Sequence, residues 1–224
     1  MTSRSGEWSI VGDATRQRVR EAVLPLARAL ASLGFTADAL TVLGFLVSAG
    51  AAVVCATGLW LPAGLAVAFG GIFDLFDGAV ARVRGTASPL GSFLDSTFDR
   101  LSDAVIYIGC IAGVLGPGAA SIRFATLGDR GAAETLALVA IIALAASQTV
   151  SYTRARAQGI GLDAAVGIAP RAERVVLLTV GLLLQPATGW ALGVAFTLIA
   201  LLSLITVVQR IVHVRRLASN PDQT

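Results

Sequence analysis

Six long apolar runs dominate the sequence and limit the folds open to the chain. They cover residues 39–59, 61–83, 90–115, 132–158, 174–185 and 190–212. A helix crosses the hydrocarbon core of a bilayer with about 20 mainly apolar residues, and only the fifth run is clearly shorter. In lipid every backbone N–H and C=O group must be bonded within the protein, which favours helices. The sequence therefore predicts an all-α integral membrane fold with six transmembrane helices.

The composition agrees with a membrane protein. Hydrophobic residues make up 55% of the 224 residues and charged residues only 14%, whereas a soluble domain carries about 25% charged residues. The basic residues are all arginines that flank apolar runs rather than forming one patch, so we expect no nucleic-acid partner. Cys55 and Cys110 lie within apolar runs and are expected to be buried free thiols. The first residues lack an early apolar core, and we expect no signal peptide.

Residues 15–33 form a predicted amphipathic helix before the first apolar run. At helical spacing its apolar residues share one arc: Val19, Val23, Leu26, Leu30 and Leu33. Its arginines lie off that arc: Arg18, Arg20 and Arg28. We expect this helix to lie in the membrane interface, against membrane lipids. The chain is accordingly divided into an N-terminal segment (1–38), a transmembrane domain (39–213) and a tail (214–224).

The arginines also predict the orientation of the chain. With six spans, both termini lie on one side, together with the connections between spans two and three and between spans four and five. That side collects all but two of the 17 arginines, the exceptions being Arg123 and Arg130. Because cytoplasmic loops carry the excess of arginine, we expect a multi-pass cell-membrane protein whose termini face the cytoplasm.

Four carboxylates interrupt the second and third apolar runs. Asp74 and Asp77 share one helical stripe with Gly78, and Asp95 and Asp99 share a stripe on the next helix. The short connection between the two runs predicts antiparallel neighbours whose acidic stripes face each other. An ionised side chain at the bilayer centre costs roughly 2.5–3.5 kcal/mol on insertion scales, so the cluster needs a compensating partner.

Oxygen ligands without histidine or cysteine suit Mg²⁺, Mn²⁺ or Ca²⁺. Two divalent ions would neutralise four carboxylates, and a pair of metals is the usual clamp for displacement at phosphorus. The alternative is a buried ion network with Arg82 and Arg100, but two arginines cannot balance five aspartates once Asp103 is counted. Asp103 is expected to pair with Arg100 on its own helix, at i, i+3 spacing.

These residues together form a recognisable signature. Asp74-x-x-Asp77-Gly78-x-x-Ala81-Arg82, followed by eight residues and Gly91-x-x-x-Asp95-x-x-x-Asp99, resembles that of the CDP-alcohol phosphotransferase family. The resemblance implies transfer of a phosphatidyl group from a CDP-lipid, such as CDP-diacylglycerol, to an alcohol with release of CMP. It implies that two Mg²⁺ or Mn²⁺ ions are held by Asp74, Asp77, Asp95 and Asp99, and that Asp99 acts as the general base. Family members are typically homodimers, and we expect one here.

The same resemblance implies a binding site for the CDP-lipid. Its residues would be Asp38, Thr41, Asp74, Gly78, Arg82 and Gly91. Asp38 and Thr41 belong to the stretch Thr36-Ala37-Asp38-Ala39-Leu40-Thr41, which has Ala37 where many members of the family have proline.

A cluster of arginines at the ends of the fourth and fifth runs bears on the acceptor alcohol. Guanidinium groups suit a dianionic phosphate, although flanking charge alone would also explain them. The stretches "SYTRAR" and "PRAER" resemble motifs of the inositol-phosphate subgroup, with Pro170 in place of a glutamate. This likeness implies that the phosphate of inositol phosphate is held by Ser151, Arg154, Arg171 and Arg174. Glycerol 3-phosphate is the alternative acceptor.

A divalent-cation transporter is the competing hypothesis from another class, because carboxylates within a membrane also mark ion pathways. A transporter should carry acidic groups across the full depth of the bilayer, often with inverted repeats. Here the acidic residues gather at one end, and runs four to six hold only Glu134 near the other end. This asymmetry favours an enzyme.

Overall fold

A computed structural model describes residues 13–86, 88–127 and 131–219. The predictions about the first residues, Arg130 and the side chains of residues 13–22 (including Val19, Arg18 and Arg20) lie outside this description. The described residues form seven α-helices and no strand. The helices are α1 (Asp13–Ser32), α2 (Ala37–Ala56), α3 (Trp60–Arg84), α4 (Pro89–Leu115), α5 (Ala132–Gln158), α6 (Arg171–Thr188) and α7 (Ala191–Ser219), with a 3₁₀ turn at Ala119–Ser121.

The helices follow the apolar runs closely, and local signals explain several of their ends. The Thr36 hydroxyl accepts a hydrogen bond from the first turn of α2 at 3.2 Å. Ser88 caps α4 in the same way, with Pro89 in the first turn. Gly85 ends α3 with a φ of 64°, in the left-handed region that glycine adopts without strain.

Four helices are long and apolar enough to cross a membrane: α2, α3, α5 and α7. Their surfaces expose many large apolar side chains, which indicates a membrane-embedded protein. The other two expected spans, α4 and α6, are helices in the expected places but carry charged residues within their length. α6 begins three residues earlier than expected, so that it includes the buried Glu173. The helix therefore holds one acidic residue that the run 174–185 leaves out.

Helix packing closes a ring in the order α2, α3, α6, α7, α5, α4. α2 packs closely against α4: a Cβ on Gly109 would lie 2.2 Å from the Ala52 carbonyl oxygen. A core of buried side chains, among them Tyr107, Leu182 and Phe196, fills the centre. Contrary to expectation, α3 and α4 are not packed neighbours, because α2 packs against both.

α1 packs against α3 through a separate apolar cluster. Ala27 is fully buried against Ala79 and Val80, while Val23 and Leu30 pack around them. Leu26 and Leu33 lie on the predicted apolar arc but are exposed. A helix is thus confirmed over these residues, and part of its predicted apolar face is occupied by α3.

Candidate active site

All the predicted site residues lie at one end of the ring, which we call the charged end. The N-termini of α2, α4 and α6 meet the C-terminal parts of α3, α5 and α7 there. The described residues form two cavities at this end that bear on the site. The α2–α4 cavity lies among α2, α3 and α4, and the α4–α7 cavity lies among α4, α5, α6 and α7.

The α2–α4 cavity has a volume of about 220 Å³. Its lining includes every residue expected to bind the CDP-lipid except Asp74: Asp38, Thr41, Gly78, Arg82 and Gly91. Two of the expected metal ligands, Asp77 and Asp95, also line it. The signature residues from three helices thus surround one space.

The glycines keep this cavity open. A Cβ on Gly91 would lie 3.5 Å from Asp38 Oδ1, and one on Gly78 would lie 3.5 Å from Arg82 Nη1. The first turns of α2 and α4 both border the cavity, and helix N-termini favour negative charge. Together with Arg82, these features suit a phosphate-bearing ligand.

Asp77 is the most buried of the four predicted metal ligands, with 5% of its surface exposed. Its Oδ2 accepts a hydrogen bond from the Thr41 hydroxyl at 2.9 Å, and its Oδ1 accepts one from the Gly78 backbone. These two bonds fix the carboxylate on the α2 side of α3.

Arg171 connects the remaining carboxylates. Its Nη1 forms ion pairs with Asp74 and, at 2.7 Å, with Asp99. Its Nε lies 3.3 Å from Asp103 Oδ1. One guanidinium group of α6 therefore bridges α3 and α4.

The prediction that Asp103 pairs with Arg100 was wrong. Asp103 contacts Arg171 and, at 3.7 Å, Arg174, whereas Arg100 donates to the Ser96 carbonyl of its own helix. A pair at i, i+3 contributes only about 0.2–0.5 kcal/mol. The two guanidinium groups of α6 therefore replace the expected pair within α4.

The donor chemistry of the cluster fits a divalent cation. As the side chains stand, no group of three or more histidine, cysteine, aspartate or glutamate residues in the described ranges is arranged to hold a metal. Asp77 turns to Thr41, and Asp74 and Asp99 turn to Arg171. The four carboxylates nevertheless belong to one end of facing helices and supply only the hard oxygen ligands that Mg²⁺ and Mn²⁺ take.

The α4–α7 cavity is larger, at about 420 Å³, and more polar. It brings together all the residues predicted to bind the acceptor phosphate: Ser151, Arg154, Arg171 and Arg174. Asp99 lines this cavity, and Ser92 and Asp95 line both cavities. The two spaces therefore adjoin at the carboxylates of α4.

The loop between α5 and α6 positions Arg171 at this cavity. The Ala169 backbone N–H donates to the Thr206 hydroxyl of α7 at 3.1 Å, and Arg174 Nη1 donates to the Ala169 carbonyl at 2.8 Å. Pro170 then starts α6, so that Arg171 occupies its first turn.

Sequence reasoning missed several polar residues that line the cavities, among them Ser92 and Arg210. Arg210 lines the α4–α7 cavity and is buried, with its Nε donating to the Val166 carbonyl at 2.9 Å. Its place near the end of an apolar run looked like ordinary flanking charge, and only its separation from Arg215 and Arg216 set it apart. Ser92 has no distinctive signal beyond its position next to Gly91.

Sequence comparisons relate the chain to a family of membrane transferases. The model of the CDP-alcohol phosphatidyltransferase family matches residues 35–214. The chain is 36% identical over 203 residues to the archaetidylinositol phosphate synthase of Methanothermobacter thermautotrophicus, covering 89% of this chain and 91% of that protein. It is 35% identical over 205 residues to the phosphatidylinositol phosphate synthase of Mycobacteroides abscessus, covering 90% and 87% respectively.

The fold agrees with solved structures of Mycobacterium tuberculosis phosphatidylinositol phosphate synthase. The structure of that protein with CDP-DAG bound superposes with a TM-score of 0.75 at 32% identity, covering 87% of this chain and 94% of the other. Its complex with manganese and citrate gives a TM-score of 0.74 at 32% identity, covering 86% and 88%. With the family match over most of its length and relatives of this similarity, the chain belongs to the CDP-alcohol phosphatidyltransferase family.

Proposed function

We propose that this enzyme transfers a phosphatidyl group from a CDP-lipid to a hydroxyl of inositol phosphate and releases CMP. One observation carries the proposal: the two cavities adjoin at Asp95 and Ser92. One cavity is lined by the family signature, and the other by several arginines. A donor and a phosphorylated acceptor can therefore meet at the carboxylates between them.

The α2–α4 cavity is the proposed site of the cytidine diphosphate group. The first turns of α2 and α4 and the Arg82 guanidinium favour its negative charge, and Gly78 and Gly91 allow close approach. The Mycobacterium tuberculosis relative binds CDP-DAG with the same fold. We therefore assign Asp38, Thr41, Asp74, Gly78, Arg82 and Gly91 to this donor.

The α4–α7 cavity is the proposed acceptor site. Arg154, Arg171 and Arg174 line it with Ser151, and a dianionic phosphate is a natural ligand for such a group. The archaeal relative is named archaetidylinositol phosphate synthase, and the Mycobacteroides relative is named phosphatidylinositol phosphate synthase. These names favour inositol phosphate over glycerol 3-phosphate, which the arginines alone would also accept.

Asp74, Asp77, Asp95 and Asp99 are the proposed ligands of two Mg²⁺ or Mn²⁺ ions, and a relative has been solved with manganese. When bound, such ions supply charge neutralisation and clamping at the phosphoryl groups. The protein supplies the oxygen ligands and holds the two substrates in line, which by itself removes much of the entropic barrier.

Asp99 is the proposed general base. It lines the acceptor cavity and lies on the stripe that faces Asp74. In this role its carboxylate takes the proton of the attacking hydroxyl as the new O–P bond forms. The bond to CMP breaks at the same phosphorus, and CMP leaves with the electron pair.

We also propose a membrane arrangement, which rests on the lengths of the helices and the positions of the arginines. α2 to α7 provide six spans, α1 lies in the interface within the segment 1–38, and the domain 39–213 carries catalysis. The arginine-rich charged end and both termini, including the tail 214–224, face the cytoplasm of the cell membrane. The chain acts as a homodimer.

The test is CMP release by the purified protein with Mg²⁺ and CDP-diacylglycerol. Inositol phosphate, glycerol 3-phosphate, free inositol and serine are supplied separately. We expect release with inositol phosphate alone. Release with glycerol 3-phosphate alone would retain the transferase chemistry and overturn the assigned acceptor. Divalent-cation flux in proteoliposomes without any CDP-lipid, and no CMP release, would favour the transporter instead.

A further inference from the structure

Arg171 belongs to two sites at once. Its guanidinium pairs with Asp74 and Asp99, two of the proposed metal ligands. The same side chain lines the α4–α7 cavity, where the acceptor phosphate is proposed to bind. Its Nη1 and Nε are directed to carboxylates, so the whole guanidinium fork is open to the acceptor phosphate only when these ion pairs break.

The charge balance of the site indicates when Arg171 should pair with the aspartates and when it should bind the acceptor phosphate. The cluster on α3 and α4 holds five aspartates (Asp74, Asp77, Asp95, Asp99 and Asp103). The described arginines that form ion pairs with it are Arg171 and Arg174, so the cluster outnumbers these arginines by three (5 − 2 = 3). Two divalent ions would neutralise the four proposed ligands and leave Asp103 to the arginines. The charge of Arg171 would then be surplus at the carboxylates and available to a dianion.

Arg171 also has the means to exchange partners. It lies in the first turn of α6, behind Pro170, and a loop anchored to α7 precedes it. Its side chain is 24% exposed, whereas that of Arg174 is 3% exposed. Arg174 is held by the Ala169 carbonyl, so it can stay with Asp103 when Arg171 moves.

We propose that Arg171 is a mobile positioning residue that competes with divalent metal for Asp74 and Asp99 and, once displaced, turns to the acceptor phosphate. This inference rests on the proposed function. Metal binding would thereby complete the acceptor site. By linkage, an acceptor dianion would tighten metal binding by the same factor.

The test measures Mn²⁺ binding by the electron paramagnetic resonance signal of free Mn²⁺, on the full chain in detergent. The wild type, Arg171→Gln and Arg171→Lys are compared, with and without sulfate as a weakly metal-binding dianion. Arg156→Gln is the matched control, because Arg156 is exposed on α5, lines neither cavity and forms none of the ion pairs found among the described aspartates.

We expect Arg171→Gln to bind Mn²⁺ at least about fivefold more tightly than the wild type, the lower end of ordinary coupling between sites. Arg171→Lys should be intermediate, because one ammonium cannot span three carboxylates. Arg156→Gln should bind Mn²⁺ like the wild type. Sulfate should tighten Mn²⁺ binding in the wild type and in Arg156→Gln, but not in Arg171→Gln.

Two outcomes would overturn the inference alone: equal or weaker Mn²⁺ binding by Arg171→Gln, or equal tightening in both glutamine variants. If Arg171→Gln does not fold, Arg171→Lys decides in the same way. CMP release by the wild type is measured on the same preparation. Failure of the wild type to bind Mn²⁺ would overturn the proposed metal site together with the inference, whereas Mn²⁺ binding without CMP release would overturn the proposed reaction only.

Discussion

The two ends of the helical ring treat their polar groups in opposite ways. At the end opposite the charged end, which we call the closed end, neutral groups satisfy one another. The fully buried Gln185 donates to the Gly189 carbonyl at 2.8 Å and accepts from the Leu192 backbone at 2.9 Å. Trp60 Nε1 donates to the Ser121 hydroxyl at 2.8 Å.

The charged end, by contrast, holds a cluster of five aspartates with which only two of the described arginines, Arg171 and Arg174, form ion pairs. Cavities border this cluster. Burying charge costs more than burying a bonded amide, so this end is the less favourable one for stability. Such a sacrifice is typical of functional sites. The groups that serve stability and the groups proposed for catalysis thus lie at opposite ends of the same helices, and paired substitutions can test that separation.

The largest effect is expected from Asp99→Asn at the charged end. The amide cannot take the proton of the acceptor hydroxyl, and a positioned general base contributes about 10²–10⁴-fold to the rate. CMP release should fall by that factor, with thermal unfolding little changed. Asp163→Asn is the matched control, since Asp163 is exposed in the α5–α6 loop and only accepts from a backbone N–H. A nearly wild-type rate for Asp99→Asn would remove the base from its proposed role.

Gln185→Met should produce the next largest effect, at the closed end. It leaves the buried Leu192 N–H without its partner, and an unsatisfied buried group costs about 1–3 kcal/mol. The free energy of unfolding should fall by that amount, while CMP release by the folded fraction stays unchanged. Gln209→Met, at an exposed position of α7, is the control for side-chain loss. Loss of activity without loss of stability would contradict the separation of the two ends.

Thr41→Val tests whether the Thr41 hydroxyl on α2 positions the Asp77 carboxylate for activity. It removes the hydrogen bond to Asp77 and keeps the shape of the side chain. A hydrogen bond to a charged group contributes about 1.5–3 kcal/mol to stability, and only part of this is expected to act on the reaction, so kcat/KM for the CDP-lipid should fall by up to about tenfold. Thr149→Val is the control, because the Thr149 hydroxyl bonds only to a carbonyl of its own helix. Equal kinetics for both variants would show that Asp77 needs no support from α2.

The same comparison shows what the sequence could predict. Hydrophobic length alone placed the helices, and 132–158 coincides with α5. Helical spacing and the family resemblance gathered the signature residues, because Asp74, Asp77, Asp95 and Asp99 lie on two helices with a short connection. Hydrophobic length and helical spacing both depend on residues that lie close together in the sequence.

The errors concern which helix lies beside which. The ring order places α2 between α3 and α4, and it brings Arg171 from a distant part of the chain onto Asp74 and Asp99. Spacing rules apply to residues within one helix and therefore cannot predict this contact. The fifth span was also predicted to start at residue 174, after the charged residues, whereas α6 starts at Arg171 and so includes Glu173. The burial of Arg210 likewise depends on the neighbouring loop.

The smallest effect is expected from Trp60→Phe, which tests the closed end more finely than Gln185→Met. The variant keeps a buried aromatic ring. It loses the hydrogen bond to Ser121, whose hydroxyl still donates to the Gly118 carbonyl, and the part of the indole that packs near Gly118. The lost hydrogen bond should lower the free energy of unfolding by about 0.5–1.5 kcal/mol, and the lost part of the ring adds to that cost. Trp190→Phe is the matched control, because Trp190 is 52% exposed. If Trp60→Phe reduced CMP release more than stability, the closed end would take part in catalysis, and the two ends would have to be treated as one coupled unit.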